Sequence, residues 1–255
     1  MKDLICEIEG CNIQLLFGDC LERMEEIPTG SVDLVATDLP YGISQNKWDT
    51  IIPFVPLWIQ LKRVLKAKGA AVFTATQPFA SQLVMSNTKW YKYDTIWEKT
   101  VGSGQLNIGN RPLRVHENIL VFYDKLGTYN EQKMEGEPYR MLRKTDKFEG
   151  GYGKQRDHEK INEGFRHARS IIEIPNPRVK GGHKTQKPVG LMEYIAKVYS
   201  NEYETVLDCC MGAGTTGEAC INLKRHFIGI ELEKEWFEKS VKRLEKRLYG
   251  QVQIF

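Results

Sequence analysis

Thr205-Val206-Leu207-Asp208-Cys209-Cys210-Met211-Gly212-Ala213-Gly214-Thr215-Thr216-Gly217 is the stretch on which the fold turns. A short apolar run closes on a carboxylate, passes through glycines and opens a helix. Glycine lets a backbone come close to a ligand at a helix N-terminus, where amide groups favour anionic or polar parts. Gly212-x-Gly214-x-x-Gly217 fits the nucleotide-type turn, and Glu231 ends the next strand 19 residues after Gly212, placed to accept from ribose hydroxyls. No Lys-Ser/Thr pair follows the last glycine, which excludes a phosphate-binding P-loop.

The turn alone suits two adenosine cofactors, NAD and S-adenosylmethionine. Two details favour the methyl donor. Asp208 before the glycines repels a pyrophosphate but can pair with the ammonium of a methionine moiety. Only 24 residues follow Glu231, short of the strands a dinucleotide domain is expected to add.

Outward from the turn, apolar runs at 13–17, 32–37, 70–75, 93–98, 118–123, 205–208 and 226–231 read as strands. Helices are expected at 20–28, 53–68, 78–86, 188–200, 214–223 and 234–248. In the second of these, Leu57, Leu61, Val64 and Leu65 share a face and Gly69 is its expected end. The polar segment 101–114 is expected to be a mobile loop. Strands alternating with helices give a parallel sheet covered on both faces, and such sheets bind ligands at the carboxyl ends of their strands. Three strands end in an acid there: Asp38, Asp208 and Glu231.

At 255 residues, with 41% hydrophobic and 27% charged residues, the chain has ordinary globular composition. No apolar run approaches the roughly eighteen residues of a membrane span, and the start has no signal-peptide pattern, so a cytoplasmic protein without membrane association is expected. The net charge of +3 is unevenly spread. Residues 125–187 hold 15 Lys and Arg against 9 Asp and Glu, leaving 21 against 24 for the rest. Periodicity also fails over 124–169. A basic, irregular middle suits a polyanion partner, with Arg140, Arg143, Arg156 and Arg166 as candidate phosphate or base contacts. The six cysteines lack the Cys-x-x-Cys spacing of a zinc site, and Cys20 and Cys220 stand alone. Reduced thiols used as small apolar residues, and no metal, are expected.

Asp38-Leu39-Pro40-Tyr41 follows the buried strand 32–37. An exocyclic amine on a base is a poor nucleophile, because its lone pair is delocalised into the ring. Acceptors for both N–H groups draw the nitrogen toward tetrahedral geometry. The Asp38 side chain and the Leu39 carbonyl offer two such acceptors, Pro40 stiffens the turn, and Tyr41 offers a flat face to a flipped base.

These residues resemble the amino-methylating DNA methyltransferases of bacterial and phage modification systems, whose motif is Asp/Asn/Ser-Pro-Pro-Tyr. Leu207-Asp208 through Thr216 resembles their cofactor motif, His183-Lys184-Thr185-Gln186-Lys187-Pro188 the segment that precedes the cofactor strand, and Gly18-Asp19 the turn near the cofactor adenine. The tetrapeptide comes first and the glycines last, as in the permuted beta group. The resemblance implies a Rossmann-like α/β methyltransferase core with a doubly wound, mostly parallel sheet. It implies a catalytic half over 1–123, a target-recognition insertion over 124–170 and a cofactor half over 171–255. It implies S-adenosylmethionine as cofactor, held by Asp19, Cys20, Thr185, Lys187, Asp208, Cys210, Gly212, Gly214, Thr215, Thr216 and Glu231, with Thr185 or Lys187 near its carboxylate. Asp38, Leu39, Pro40 and Tyr41 are the implied catalytic residues. Double-stranded DNA is the implied partner, with a second copy of the chain and a cognate restriction endonuclease as further candidates.

The sequence departs from the family at Leu39, where a proline is usual, and at Cys209-Cys210, where Pro-Phe is common. The latter removes a ring expected to pack on the cofactor. Asp38 favours N6 of adenine, since the N4-cytosine branch more often carries Ser there. N4 of cytosine is the alternative, and a DNA-binding protein with a vestigial cofactor site is a second.

Overall fold

The structure is a computed structural model that describes residues 3–8, 10–43, 49–143, 158–176 and 186–249. It divides into two compact units, residues 1–130 with 170–255, and residues 131–169.

Among the described residues, the first unit is built on nine strands in the order β1-β2-β13-β12-β3-β4-β6-β5-β11. These are β1 Leu4–Ile8, β2 Cys11–Phe17, β3 Val32–Thr37, β4 Leu65–Ala75, β5 Tyr91–Ser103, β6 Arg114–Phe122, β11 Ile171–Ile174, β12 Thr205–Asp208 and β13 His226–Glu231. Only β1 and β6 run antiparallel to their neighbours. The expected mostly parallel, doubly wound sheet is therefore present. The hairpin partner β1 is not among the strands expected from the sequence, because Glu7 interrupts its short apolar run.

Side chains alternate across the strands, and each parity meets its own helices. Ile13, Leu15, Leu34, Ala36 and Val206 face one cluster with α4 (Val189–Tyr199), α5 (Thr215–Asn222) and α6 (Lys234–Tyr249). Leu16, Val35, Phe73, Phe122 and Leu207 face the other, with α1 (Cys20–Met24), α2 (Phe54–Val64) and α3 (Phe79–Ser86). Fully burying each such Leu or Phe is worth about 1.5–3 kcal/mol. This is why the strands are apolar at both parities. Among the described residues no helix is long and apolar enough to cross a membrane.

Three expectations about local structure change. The helix expected over 53–68 stops at Val64, and Leu65 is already extended with ψ 137. Leu65 pairs with Val32 and Ala70 with Leu34, so the residues between form an irregularity in β4. Gly69 is not a helix cap. A Cβ there would lie 3.0 Å from Asp33 O and 2.8 Å from Leu65 Cδ2, so close backbone approach requires glycine. The segment 101–114 is more ordered than a loop: β5 continues to Ser103, a 3₁₀ turn covers Gln105–Asn107, and Arg114 begins β6. The helix expected over 20–28 is limited to Cys20–Met24.

Among the described residues, the second unit holds two small antiparallel sheets that the charged sequence hid. One pairs β7 (Met134–Glu135) with β10 (Phe165–Arg166), the other β8 (Tyr139–Arg143) with β9 (His158–Asn162). Arg140 is bonded to Glu159 across the second sheet, and Arg166 donates to Asn162 Oδ1 at 2.5 Å and to Glu137 O at 2.5 Å. Arg156 lies outside the described residues. Residues 124–130, grouped with the insertion on the sequence, belong to the first unit, where Asn130 N–H donates to Val198 O at 2.8 Å.

Candidate active site

Strand order brings the two motifs together. After β2 the chain skips two sheet positions to reach β3, and β12 and β13 return from the far end of the chain to fill them. Leu207 pairs with Val35, so the strand ends carrying Asp38 and Asp208 are neighbours. Thr37 Oγ1 donates to Asp208 Oδ1 at 2.6 Å and Thr216 Oγ1 to Asp208 Oδ2 at 2.5 Å, while Cys210 N–H donates to Oδ1 at 3.1 Å. Asp208 thus clamps β3, β12 and the start of α5. Burial pushes its carboxyl up to about 6 against these donors.

The glycine turn is held from both sides. Met211 N–H donates to Ile230 O at 2.9 Å, and Gly212 N–H to Glu231 Oε2 at 2.8 Å. Glu233 N–H donates to the other oxygen at 2.8 Å. Burial raises the Glu231 carboxyl to about 7. Gly212 has φ +52, lines the cavity described below, and a Cβ there would meet nothing within 4 Å. It is open toward a ligand. Gly214 differs from the sequence expectation, because it does not line that cavity. It caps α5 with φ +78, and a Cβ would fall 2.9 Å from Ser240 Cβ, so its glycine serves the turn and the packing of α6.

Asp38 is the centre of a hydrogen-bonded group. The Tyr41 hydroxyl donates to Oδ1, and Thr74 Oγ1 donates to the same oxygen at 2.5 Å. Lys187 Nζ lies 2.7 Å from Oδ2. Tyr41 stacks on Phe79 at 5.1 Å between ring centroids. The turn is braced by Asp49, which accepts from Gly42 N–H at 2.8 Å and Ile43 N–H at 2.9 Å. Leu39 is buried at 3% exposure among the apolar side chains of α1–α3, so packing supplies the restraint a proline ring would give.

One cavity of about 690 Å³ opens at this edge of the sheet. It is lined by Asp19, Cys20, Asp38, Leu39, Pro40, Tyr41, Lys187, Asp208, Cys210, Gly212, Thr215, Thr216 and Glu231, all singled out in the sequence. Asp19 is also the N-cap of α1, with Oδ1 accepting from Leu21 N–H at 2.8 Å. Thr185 lies outside the described residues. Lys187, expected near a cofactor carboxylate, lines the cavity with its ammonium 2.7 Å from Asp38 Oδ2 and 3.2 Å from Glu117 Oε2. Cys20 does not stand alone, since the Cys209 and Cys210 thiols beside it draw its thiol below the ordinary range while their own are raised. A ring is present despite Cys209-Cys210, because Trp236 of α6 lines the wall. Among the described residues no cluster of His, Cys, Asp or Glu could hold a metal ion.

Thr74, Trp97, Lys99, Glu117 and Trp236 were missed in the sequence. Thr74 hydrogen-bonds Asp38, and the other four line the cavity. The available signal was the period-two spacing of Trp97 and Lys99, which places both on one face of β5.

Residues 32–242 match a family of DNA methylases, the N6 and N4 methyltransferases. The chain is similar to the type II methyltransferase M.HinfI of Haemophilus influenzae, with 27% identity over 91% of this chain and 68% of that protein. It is similar to the DNA adenine methyltransferase YhdJ of Escherichia coli strain K12, with 28% identity over 91% and 82%. Among solved structures, the M1.HpyAVI–SAM complex superposes with a TM-score of 0.62 at 25% identity, covering 91% of this chain and 99% of the other.

Proposed function

The chain belongs to the DNA methylase family of N6 and N4 amino-methyltransferases, and from that premise we propose that it transfers a methyl group from S-adenosylmethionine to N6 of adenine in double-stranded DNA. The observation that carries this reading is the Asp38 carboxylate, held in one cavity with the open Gly212 turn and Glu231. The adenine assignment is supported by Asp38 itself and by the similarity to an adenine methyltransferase.

The cavity residues fit the cofactor. Glu231 spends one lone pair per oxygen on Gly212 and Glu233, which leaves two for a ribose diol. Gly212 leaves room above the turn, and Asp19 and Trp236 border the same space. When bound, S-adenosylmethionine supplies a methyl group on a sulfonium, already a good leaving group.

The protein's part is to hold the amine. Oδ1 of Asp38 is filled by two hydroxyls, and Oδ2 keeps one lone pair beside Lys187. That lone pair and the Leu39 carbonyl accept the two N–H groups of the target amine. Tyr41, backed by Phe79, offers its ring to the extruded base. The basic segment 125–187 supplies phosphate contacts. Arg140 and Arg166 would first exchange their internal partners, a small cost for the exposed Arg140–Glu159 pair. A cognate restriction endonuclease and a second copy of the chain remain proposed partners.

Labelled cofactor, DNA from a host without amino methylation, and nucleoside analysis test the reading. Methyladenine is expected. Methylcytosine would change the base, and the absence of any product would refute transfer. Asp38→Ala is expected to abolish product while cofactor binding persists.

A further inference from the structure

Lys187 is the inner end of a buried chain of alternating charges. Its ammonium bridges Asp38 Oδ2 at 2.7 Å and Glu117 Oε2 at 3.2 Å. The other Glu117 oxygen is bonded to Lys99 Nζ. Side-chain exposures are 7% for both lysines and 9% for Glu117. The sheet creates this arrangement. Glu117 on β6 pairs with Trp97 on β5, and Lys99 follows two residues later on the same face. Lys99 Nζ also lies 5.2 Å from the Trp97 ring centroid, and the Trp97 indole N–H donates to Ile174 O at 2.9 Å.

Folding does not require such a chain. Desolvating each ion is costly, and apolar side chains of similar volume are often as stable or more so. Here the ions line the cavity and end on the carboxylate that receives the target amine. Asp38, Lys187, Glu117 and Lys99 also sum to zero charge, whereas removal of Glu117 leaves an excess cation beside a nitrogen that becomes positive during transfer.

We propose that Glu117 and Lys99 are positioning residues for methyl transfer, anchoring the Lys187 ammonium and through it fixing the Asp38 carboxylate. This rests on the transfer reading of Asp38. The charged groups facing Lys187 are Asp38 from the end of β3, Glu117 from β6 and Lys99 from β5, and the Tyr41 hydroxyl is the neutral titratable group beside them. Burial opposes the Lys187 charge, and Asp38 and Glu117 together more than offset it. Without Glu117, Lys187 therefore gives up its proton at lower pH.

The experiment compares the full chain with Glu117→Gln, Glu117→Asp and Lys99→Gln. On protein alone, the pH at which Lys187 becomes reactive to an amine-acylating reagent is read by mass spectrometry. With DNA and labelled S-adenosylmethionine, turnover and its pH profile are read, and cofactor affinity is measured separately. Glu117→Gln is expected to lower turnover by about ten- to a hundredfold, as loss of a supporting contact does elsewhere. Its cofactor affinity should stay within about twofold, and both Lys187 reactivity and the alkaline limb should move to lower pH. Glu117→Asp should recover part of the turnover. Lys99→Gln should act in the same direction more weakly, and it carries the test if Glu117→Gln fails to fold. Unchanged Lys187 reactivity and an unchanged pH profile would overturn the proposal, even if turnover fell together with melting temperature. If the wild-type protein transfers no methyl group, the functional reading fails, whereas an active wild type with an unaffected Glu117→Gln overturns only the positioning role.

Discussion

Lowering the pH from about 8 to about 6 should weaken cofactor binding through Glu231. Burial raises this carboxyl to about 7, even though Gly212 and Glu233 N–H groups donate to it. Only the ionised form can accept from both hydroxyls of a ribose while keeping those two backbone bonds. With a midpoint near 7, the ionised fraction is about nine-tenths at pH 8 and about one-tenth at pH 6, so affinity should fall about tenfold, or ~1.4 kcal/mol. Asp208, pushed up to about 6, begins to protonate at the acid end of the range and adds to the loss. The fold responds with the opposite sign. A carboxyl whose folded pKa is raised binds its proton more tightly in the native state. The native protein is then more stable at low pH, and stability falls as pH rises from 4.5 toward about 7 for Glu231 and from 3.8 toward about 6 for Asp208. Each group costs at most about 3–3.5 kcal/mol above its folded pKa. Titration calorimetry with S-adenosylhomocysteine reads the affinity, and thermal melts of the protein alone read stability. Glu231→Gln should bind more weakly at every pH and lose the dependence in the range where Glu231 titrates. Equal wild-type affinity at both pH values, or a tenfold drop that survives in Glu231→Gln, would refute the reasoning.

Two further substitutions follow from single contacts. Gly214→Ala forces a side chain onto φ +78 and 2.9 Å from Ser240 Cβ, so it should cost about 1–3 kcal/mol in denaturant unfolding and weaken cofactor binding by displacing the start of α5; a stability within experimental error of wild type would contradict the packing role. Thr216→Val removes the 2.5 Å donor to Asp208 Oδ2 and leaves a buried acceptor short of a partner, for an expected loss of about 1–3 kcal/mol measured by thermal melting. An unchanged melting temperature would show that Asp208 does not depend on that hydroxyl.

The chain's own order of residues determined the α/β class, the three strands that end in acids, the glycine turn and the tetrapeptide. Each is a local matter: apolar runs, a conformation that needs glycine, a carboxylate at a strand end. The sequence could also place Asp38 and Asp208 at the same edge, because parallel strands present their carboxyl ends together. It could not say that β12 lies beside β3, which is what lets Thr37 hydrogen-bond Asp208 across 171 positions of chain. Position along the chain alone makes Gly69 a cap and Gly214 a ligand contact. Their actual neighbours, Asp33 and Ser240, come from other elements. The same holds for Lys187. Its position along the chain does not show that strand order puts Glu117 and Asp38 within reach of its ammonium. Burial then makes that geometry matter, because a charge removed from water has to find its partner wherever the sheet has brought one.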